Sequence, residues 1–175
     1  QRYYERSGAA HNIIEFSIPT KNPINNKWIE SVEVWDNFRA ARKAFPIKPN
    51  VKTLKDNRIM VIGSHNAFDR FQIKNTREII LDLDKEENLD FLLKDKIFSK
   101  RKLLWRQWFH LGPNVDQTIF SQIIDLLNNK INFSHTIIET YYSESFGVRL
   151  KRHSLCLMGS LEKGFNEIQI AIKIK

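Results

Sequence analysis

Apolar residues along the chain follow the short period of β-strands. Residues 166–175 are the clearest case, because isoleucines at every second position alternate with mostly polar residues. This two-residue period is typical of a strand with one buried face. Other segments rich in β-branched and aromatic residues predict further strands. They are residues 13–17, 31–35, 58–62, 76–83, 103–111 and 131–142.

Turn-forming residues separate these segments, among them Pro46 and the pair Pro49-Asn50. Two stretches, residues 38–44 and 115–127, contain helix formers, but neither follows a capping box and both lie between strand patterns. We therefore predict no helix in them. The basic stretch 94–102 is predicted to form a solvated hairpin turn. Many short strands predict an all-β fold, an antiparallel multi-stranded β-sandwich, as a single domain over residues 1–175.

The charge of the chain indicates an anionic partner. A net charge of +8 at pH 7 favours nucleic acid, an acidic lipid surface or an acidic polysaccharide. No apolar run approaches the roughly 20 residues that span a bilayer. A single cysteine, Cys156, excludes an internal disulfide, and its apolar neighbours predict a buried, inert thiol.

Two of the five histidines stand where chemistry is expected. His11 precedes a predicted strand and His65 follows one, so both lie at strand ends, where loops expose functional groups. Tyrosines and arginines, including Arg6, surround His11. A histidine titrates near neutrality, a tyrosine can pass on a proton, and an arginine neutralises a carboxylate. This combination suits general-base work on an anionic sugar.

Five sequence blocks occur in an order that characterises a known family. They are RYYERSGAAHNII (residues 2–14), EVWDNFR (33–39), SHN (64–66), WFHLGPNV (108–115) and EIQIAI (167–172). Their shared order, over nearly the whole chain, resembles the C-terminal β-sandwich domain of heparinase II/III-like polysaccharide lyases.

The resemblance implies a lyase that cleaves a uronic-acid-containing acidic polysaccharide, such as a glycosaminoglycan or alginate, by β-elimination. In that family an N-terminal α-toroid supplies most catalytic groups, and the glycan lies between toroid and sandwich. The chain would then be a C-terminal fragment, inactive alone, that forms one wall of the substrate cleft. The family also implies a periplasmic or secreted location. We expect neither nucleic acid nor a membrane as a partner.

The resemblance assigns roles at the cleft. His11 matches the His-Asn position of the family, which implies a catalytic role, with Arg6, Asn12 and Arg39 binding substrate. Either arginine could instead be an ordinary surface residue. His110 is predicted to be structural, on one face of the sandwich.

The resemblance also implies a structural zinc ion, because several members bind one through two histidines and an acid. The ligands implied here are His11, His65 and Glu33, with Glu30 and Asp36 as alternatives for the acid. The alternative for His65 is a loop histidine without a ligand role.

Two other functions fit parts of the pattern. A non-catalytic carbohydrate-binding or architectural β-sandwich would keep the fold without cleavage. A nucleic-acid-binding module rests on net charge alone and needs exposed aromatic residues in a basic groove. We rank it last because the tryptophans are predicted to be buried.

Overall fold

The computed structural model describes residues 7–22, 26–31, 33–34, 40–42, 44–55, 57–83, 89–116, 118–125, 133–143, 145 and 148–174. Strands dominate this part of the chain. They are β1 (Ile14–Ser17), β2 (Glu33–Val34), β3 (Ala40–Arg42), β4 (Pro46–Thr53), β5 (Arg58–His65), β6 (Ile73–Asp82), β7 (Leu89–Ser99), β8 (Leu103–His110), β9 (Phe133–Tyr142), β10 (Leu150–Leu161) and β11 (Gly164–Ile174). Helix α1 covers Thr118–Asp125, and short 3₁₀ turns cover Gly8–Ala10 and Asp69–Phe71.

The chain divides into two compact units, each with its own main sheet. The first unit comprises Gln1–Arg42, Leu103–Thr118 and Asn132–Leu161. It contains a four-stranded sheet of order β1-β8-β10-β9 and the small β2-β3 pair. The second unit contains a five-stranded sheet of order β11-β7-β6-β5-β4. Every pairing is antiparallel, which confirms the predicted all-β, antiparallel multi-stranded fold. The single domain over residues 1–175 stays a prediction.

The four-stranded sheet has an apolar face and a polar face. Residues directly opposite each other in neighbouring strands point to the same side. Phe16 pairs with Trp105, and both are at most 1 % exposed. The alternate residues form the polar face, and they include Glu15, Arg106, Trp108, His110, Thr140, Tyr142, Arg152, Ser154, Cys156 and Met158. The polar face defined here is the part of the unit that carries candidate chemistry.

The five-stranded sheet buries a charged pair among apolar residues. Ile73, Ile97 and Ile170 are at most 1 % exposed on one face. Asp95 lies on that same face with no exposed surface. Its carboxylate accepts hydrogen bonds from Arg77 Nε at 3.0 Å and Arg77 Nη2 at 2.8 Å. A buried charge needs such a partner because desolvation alone would cost several kcal/mol.

Three sequence predictions were wrong. Pro46 and the pair Pro49-Asn50 were predicted to form turns, but they lie within strand β4. Residues 115–127 were predicted to form no helix, but α1 occupies part of them. The Asp116 Oδ1 atom accepts a hydrogen bond from the Thr118 N–H at 2.8 Å, so an aspartate cap replaces the missing capping box. The basic stretch 94–102 was predicted to be a turn, but residues 94–99 belong to β7. At residues 40–42, within the other stretch predicted non-helical, the backbone is strand β3.

The Cys156 side chain is buried, as predicted. The side chain is 4 % exposed, and burial raises the pKa of its thiol to about 11. Few thiolate ions therefore form near neutral pH. Among the described residues, α1 is too short and no other helix is long and apolar enough to cross a membrane.

Candidate functional site

The loop before β1 holds His11 at the surface in a defined conformation. The His11 N–H donates to the Gly8 carbonyl at 3.0 Å, and the His11 carbonyl accepts from the Ile13 N–H at 2.8 Å. A Cβ atom at residue 8 would lie 2.5 Å from Glu15 Oε1. Only glycine therefore lets the turn lie directly on the Glu15 carboxyl group. The His11 side chain is exposed, so it is accessible to a ligand.

Asn12 fastens this loop to the end of β8. Its Oδ1 atom accepts a hydrogen bond from the His110 backbone N–H at 2.7 Å. The amide oxygen predicted to contact substrate is therefore engaged with the protein. The contact makes Asn12 a residue that positions the neighbouring His11.

A chain of polar contacts continues from His110 across the polar face. His110 Nδ1 lies 2.6 Å from Ser154 Oγ, which lies 2.5 Å from Thr140 Oγ1. The Arg152 Nε donates to Thr140 Oγ1 at 3.4 Å, and its Nη2 donates to the Ala10 carbonyl at 3.4 Å. The chain thus returns to the turn that precedes His11. These contacts link the loop, β8, β9 and β10.

The charge at this end of the polar face resides on Arg152. Burial, and after it the charge of the Arg152 guanidinium, lower the pKa of His110 to about 4. The His110 ring is therefore neutral at pH 7, while arginine keeps its charge. The Arg152 guanidinium lies 5.8 Å from the centre of the exposed Tyr142 ring. An arginine beside an exposed tyrosine and histidine can bind an anionic ligand that also carries apolar surface and hydroxyl groups.

The middle of the polar face is a packed ionic cluster. Glu15 Oε2 accepts hydrogen bonds from Arg106 Nε at 2.6 Å and Trp108 Nε1 at 3.0 Å. The Arg106 guanidinium also lies 4.2 Å from the centre of the Trp28 ring. This cluster holds the Glu15 carboxyl group in place, and the turn at Gly8 packs directly on that group. The cluster therefore fixes the position of the loop that carries His11.

A pocket of about 410 Å³ lies beside Trp28. Its lining combines apolar side chains with two serines: Trp28, Leu104, Trp105, Phe133, Met158, Ser134, Ser160 and the backbone at Gly159. Leu104 and His110 are on the same side of β8, six residues apart, which corresponds to about 20 Å of strand. The polar face is therefore long enough for several sugar rings.

His65 belongs to the second unit and is held by its surroundings. Its Nδ1 atom accepts a hydrogen bond from the Ala67 N–H at 3.3 Å, and its ring lies 5.3 Å from that of Phe68. Burial and then the Arg77 charge lower the pKa of His65, and Asp69 opposes this shift. The Nδ1 atom of His65 is therefore engaged with the backbone of its own loop.

The described residues do not assemble the predicted zinc site. No three histidine, cysteine, aspartate or glutamate side chains are grouped to hold a metal ion in the described part of the chain. Glu33 lies in β2 with its side chain outside the described residues, and Asp36 lies outside them. The zinc ligands His11, His65 and Glu33 stay a prediction, which the metal content of the purified chain tests.

The predicted substrate-binding residues are only partly brought together. His11 and Asn12 share one loop, whereas Arg6 and Arg39 lie outside the described residues. His110 lies in a strand, as predicted, and its ring is one member of the polar chain described above. Its structural role stays a prediction. Arg152 was missed. The only signal in the sequence is its two-residue spacing from Ser154, which places both on one face of a strand.

Comparisons with known proteins show the fold. No family model and no curated protein matches the chain. Heparan sulfate lyase HepC from Pedobacter heparinus matches with a TM-score of 0.54 at 17 % identity, over 84 % of this chain and 24 % of that one. The heparinase III-BT4657 gene product with methylated lysines matches with a TM-score of 0.53 at 10 % identity, over 99 % and 25 %. The chain therefore has a fold that is also found within heparinases, as the resemblance predicts, and spans about a quarter of their length.

Proposed function

We propose that this chain is the glycan-binding C-terminal domain of a polysaccharide lyase that cleaves a uronic-acid-containing polysaccharide by β-elimination. The observation that carries the proposal is the polar face, where Arg152, Tyr142 and His11 surround one end of a sheet. The fold shared with heparinases supports it. The rest of the proposal is that an N-terminal α-toroid completes the cleft and that the enzyme is periplasmic or secreted.

The residues of this end of the face have separate tasks in the proposed reaction. Arg152 binds the uronate carboxylate and offsets the negative charge that develops when the C5 proton leaves. His11 takes up the C5 proton as a general base, since its ring is exposed and its loop is fixed. The electron pair of the C5–H bond forms the C4=C5 double bond, the C4–O4 bond breaks, and O4 takes up a proton from a group of the toroid, which leaves an unsaturated uronide. Because the toroid supplies the other catalytic groups, the chain alone binds glycan and cleaves nothing.

Replacing Arg152 by glutamine tests the proposed binding face. We expect the affinity for a short uronate oligosaccharide to fall about 10- to 100-fold, since one charge-assisted contact contributes about 1.5–3 kcal/mol. Calorimetric titration of the purified chain at a fixed salt concentration measures the change. Lys151→Gln is the matched control, because it removes the same charge from the adjacent residue, which points to the other face and pairs with Glu139 at 3.0 Å.

The control is expected to bind within about twofold of the wild type, since it removes an exposed ion pair that contributes little. Equal losses in the two variants would mean that net charge alone governs binding, and would contradict a role for the polar face.

A further inference from the structure

An aromatic side chain lies exposed on the outer face of the five-stranded sheet, which is the face opposite to Asp95. Phe165 is 89 % exposed, the largest value among the large apolar side chains of the described residues. It pairs with Phe98 across the ladder, their rings 4.7 Å apart, and Phe98 pairs with Lys74 on its other side. The three side chains form one row on one side of the sheet. An exposed phenylalanine adds little to folding, because its apolar area stays in water.

Cations surround this row at one end of the sheet. Lys100 and Arg101 follow β7, and Lys163 precedes β11; all three are exposed. The two turns are tied together, since Lys102 Nζ lies 2.9 Å from Glu162 Oε1. Lys74, Lys100, Arg101 and Lys163 form no ion pair with another described residue. Four cations without an ion-pair partner among the described residues therefore lie near the exposed Phe165 ring, and the exposed Glu167 is the acidic residue next to Phe165 on the same face.

We propose that these residues form a second binding surface for an acidic polysaccharide, separate from the polar face of the first unit. The Phe165 surface consists of Lys74, Phe98, Lys100, Arg101, Lys163 and Phe165. Its ligand class rests on the proposed function of the chain. The surface binds a further part of the same polymer, so it raises affinity for long chains and leaves the binding of short oligosaccharides unchanged.

The chemistry of the Phe165 surface matches a linear, anionic sugar polymer. Lysine and arginine side chains on flexible stems pair with sulfate and carboxylate groups, which repeat along such a chain. Phe165 and Phe98 lie on the same face of the sheet, and their ring planes are inclined by 47°, so the exposed Phe165 ring is the stacking platform of this surface. The C–H side of a sugar ring packs on this ring, which removes apolar area from water.

The test measures binding of the whole chain to immobilised, long heparan sulfate over a series of salt concentrations. The double variant Lys100→Glu/Arg101→Glu is compared with Lys48→Glu/Lys52→Glu. Both pairs change the net charge equally, but Lys48 and Lys52 lie on the exposed edge strand β4 of the same sheet. We expect the first pair to weaken binding at least tenfold more than the second. For the Lys100→Glu/Arg101→Glu variant, the slope of log Kd against the logarithm of the salt concentration should also be smaller by about one to two, since fewer counterions are released.

Phe165→Ser provides an independent variant, because it removes no charge. It is expected to weaken binding about fivefold at every salt concentration, with an unchanged salt slope. An affinity equal to that of the wild type would exclude the stacking platform and overturn the proposal.

Other outcomes separate this proposal from the proposed function. Equal weakening by the two charge-reversed pairs would reduce the effect to net charge and overturn the second surface. Binding to anionic phosphatidylserine vesicles that depends on Phe165, while binding to heparan sulfate does not, would assign the surface to a lipid membrane instead. If the wild-type chain binds no acidic glycan of any length, the proposed function itself fails. If short oligosaccharides bind through Arg152 but the Lys100 and Arg101 variant binds long chains normally, only the second surface fails.

Discussion

Asp95→Ala is expected to lower the free energy of unfolding by about 3 kcal/mol. Asp95 has no exposed surface, and both carboxylate oxygens bind Arg77. Its removal leaves the guanidinium, only 22 % exposed, without its anionic partner. Asn75 also loses the contact that its Nδ2 atom makes with Asp95 Oδ1 at 3.3 Å. Urea-induced unfolding followed by circular dichroism measures the change.

Two further variants show whether the unpaired charge causes this loss. Replacing both partners, as Arg77→Met/Asp95→Leu, is expected to recover most of the stability, because an apolar pair often replaces a buried ion pair at no cost. Glu78→Ala is the control on the outer face, where the exposed Lys96 pairs with Glu78 at 2.6 Å. It should cost no more than about 1 kcal/mol. A loss for Asp95→Ala no greater than for Glu78→Ala would contradict the assignment.

His11→Ala in the full-length enzyme is expected to reduce turnover by about 10²- to 10⁴-fold, the usual contribution of a positioned acid or base. Substrate affinity and thermal stability should change little, since the His11 ring is exposed and its loop is held by backbone contacts and by Asn12. Release of unsaturated uronide, measured by its ultraviolet absorbance, gives the rate.

His135→Ala is the matched control, because His135 is also exposed but lies on β9, on the face opposite to His110. Its turnover should equal that of the wild type. Unchanged turnover in His11→Ala would make His11 structural and favour the non-catalytic carbohydrate-binding alternative. Release of unsaturated uronide by this chain alone would contradict the proposal that the catalytic groups are shared with a toroid.

The strands that the sequence predicts well are those with a clear two-residue period. In β11 apolar residues alternate with polar ones, so pattern and burial agree at residues 168–170, whereas β8 was predicted from its aromatic and other apolar residues. Strand β4 was missed because Pro46 and Pro49 indicate a turn. The structure accommodates them because β4 is the edge strand, where prolines need not donate to a neighbour. Strand β7 was also missed, because the charges at 94–96 hide its two-residue period. Asp95 faces inward only because Arg77 lies opposite, and no sequence pattern shows that pairing.

The candidate site could be predicted only where it depends on neighbouring residues in the sequence, and not where it depends on contacts between distant strands. The His11-Asn12 loop could be found from the sequence, because a short motif and the strand after it define it. The contacts that hold it could not, because Asn12 meets His110 only when β1 pairs with β8. Arg152 likewise approaches Thr140 only through the pairing of β10 with β9. The register of paired strands, which depends on the whole sheet, therefore determines the site.

The most direct test of the central claim is a nuclear magnetic resonance titration of the labelled chain with a short uronate oligosaccharide. We predict that the amide signals of His11 and Tyr142 and the side-chain signals of Arg152 shift with a common affinity. Signals of Lys151 and Tyr141, which point to the other face of the sheet, should stay in place. Shifts confined to the five-stranded unit, or none on the polar face at saturating oligosaccharide, would contradict the account.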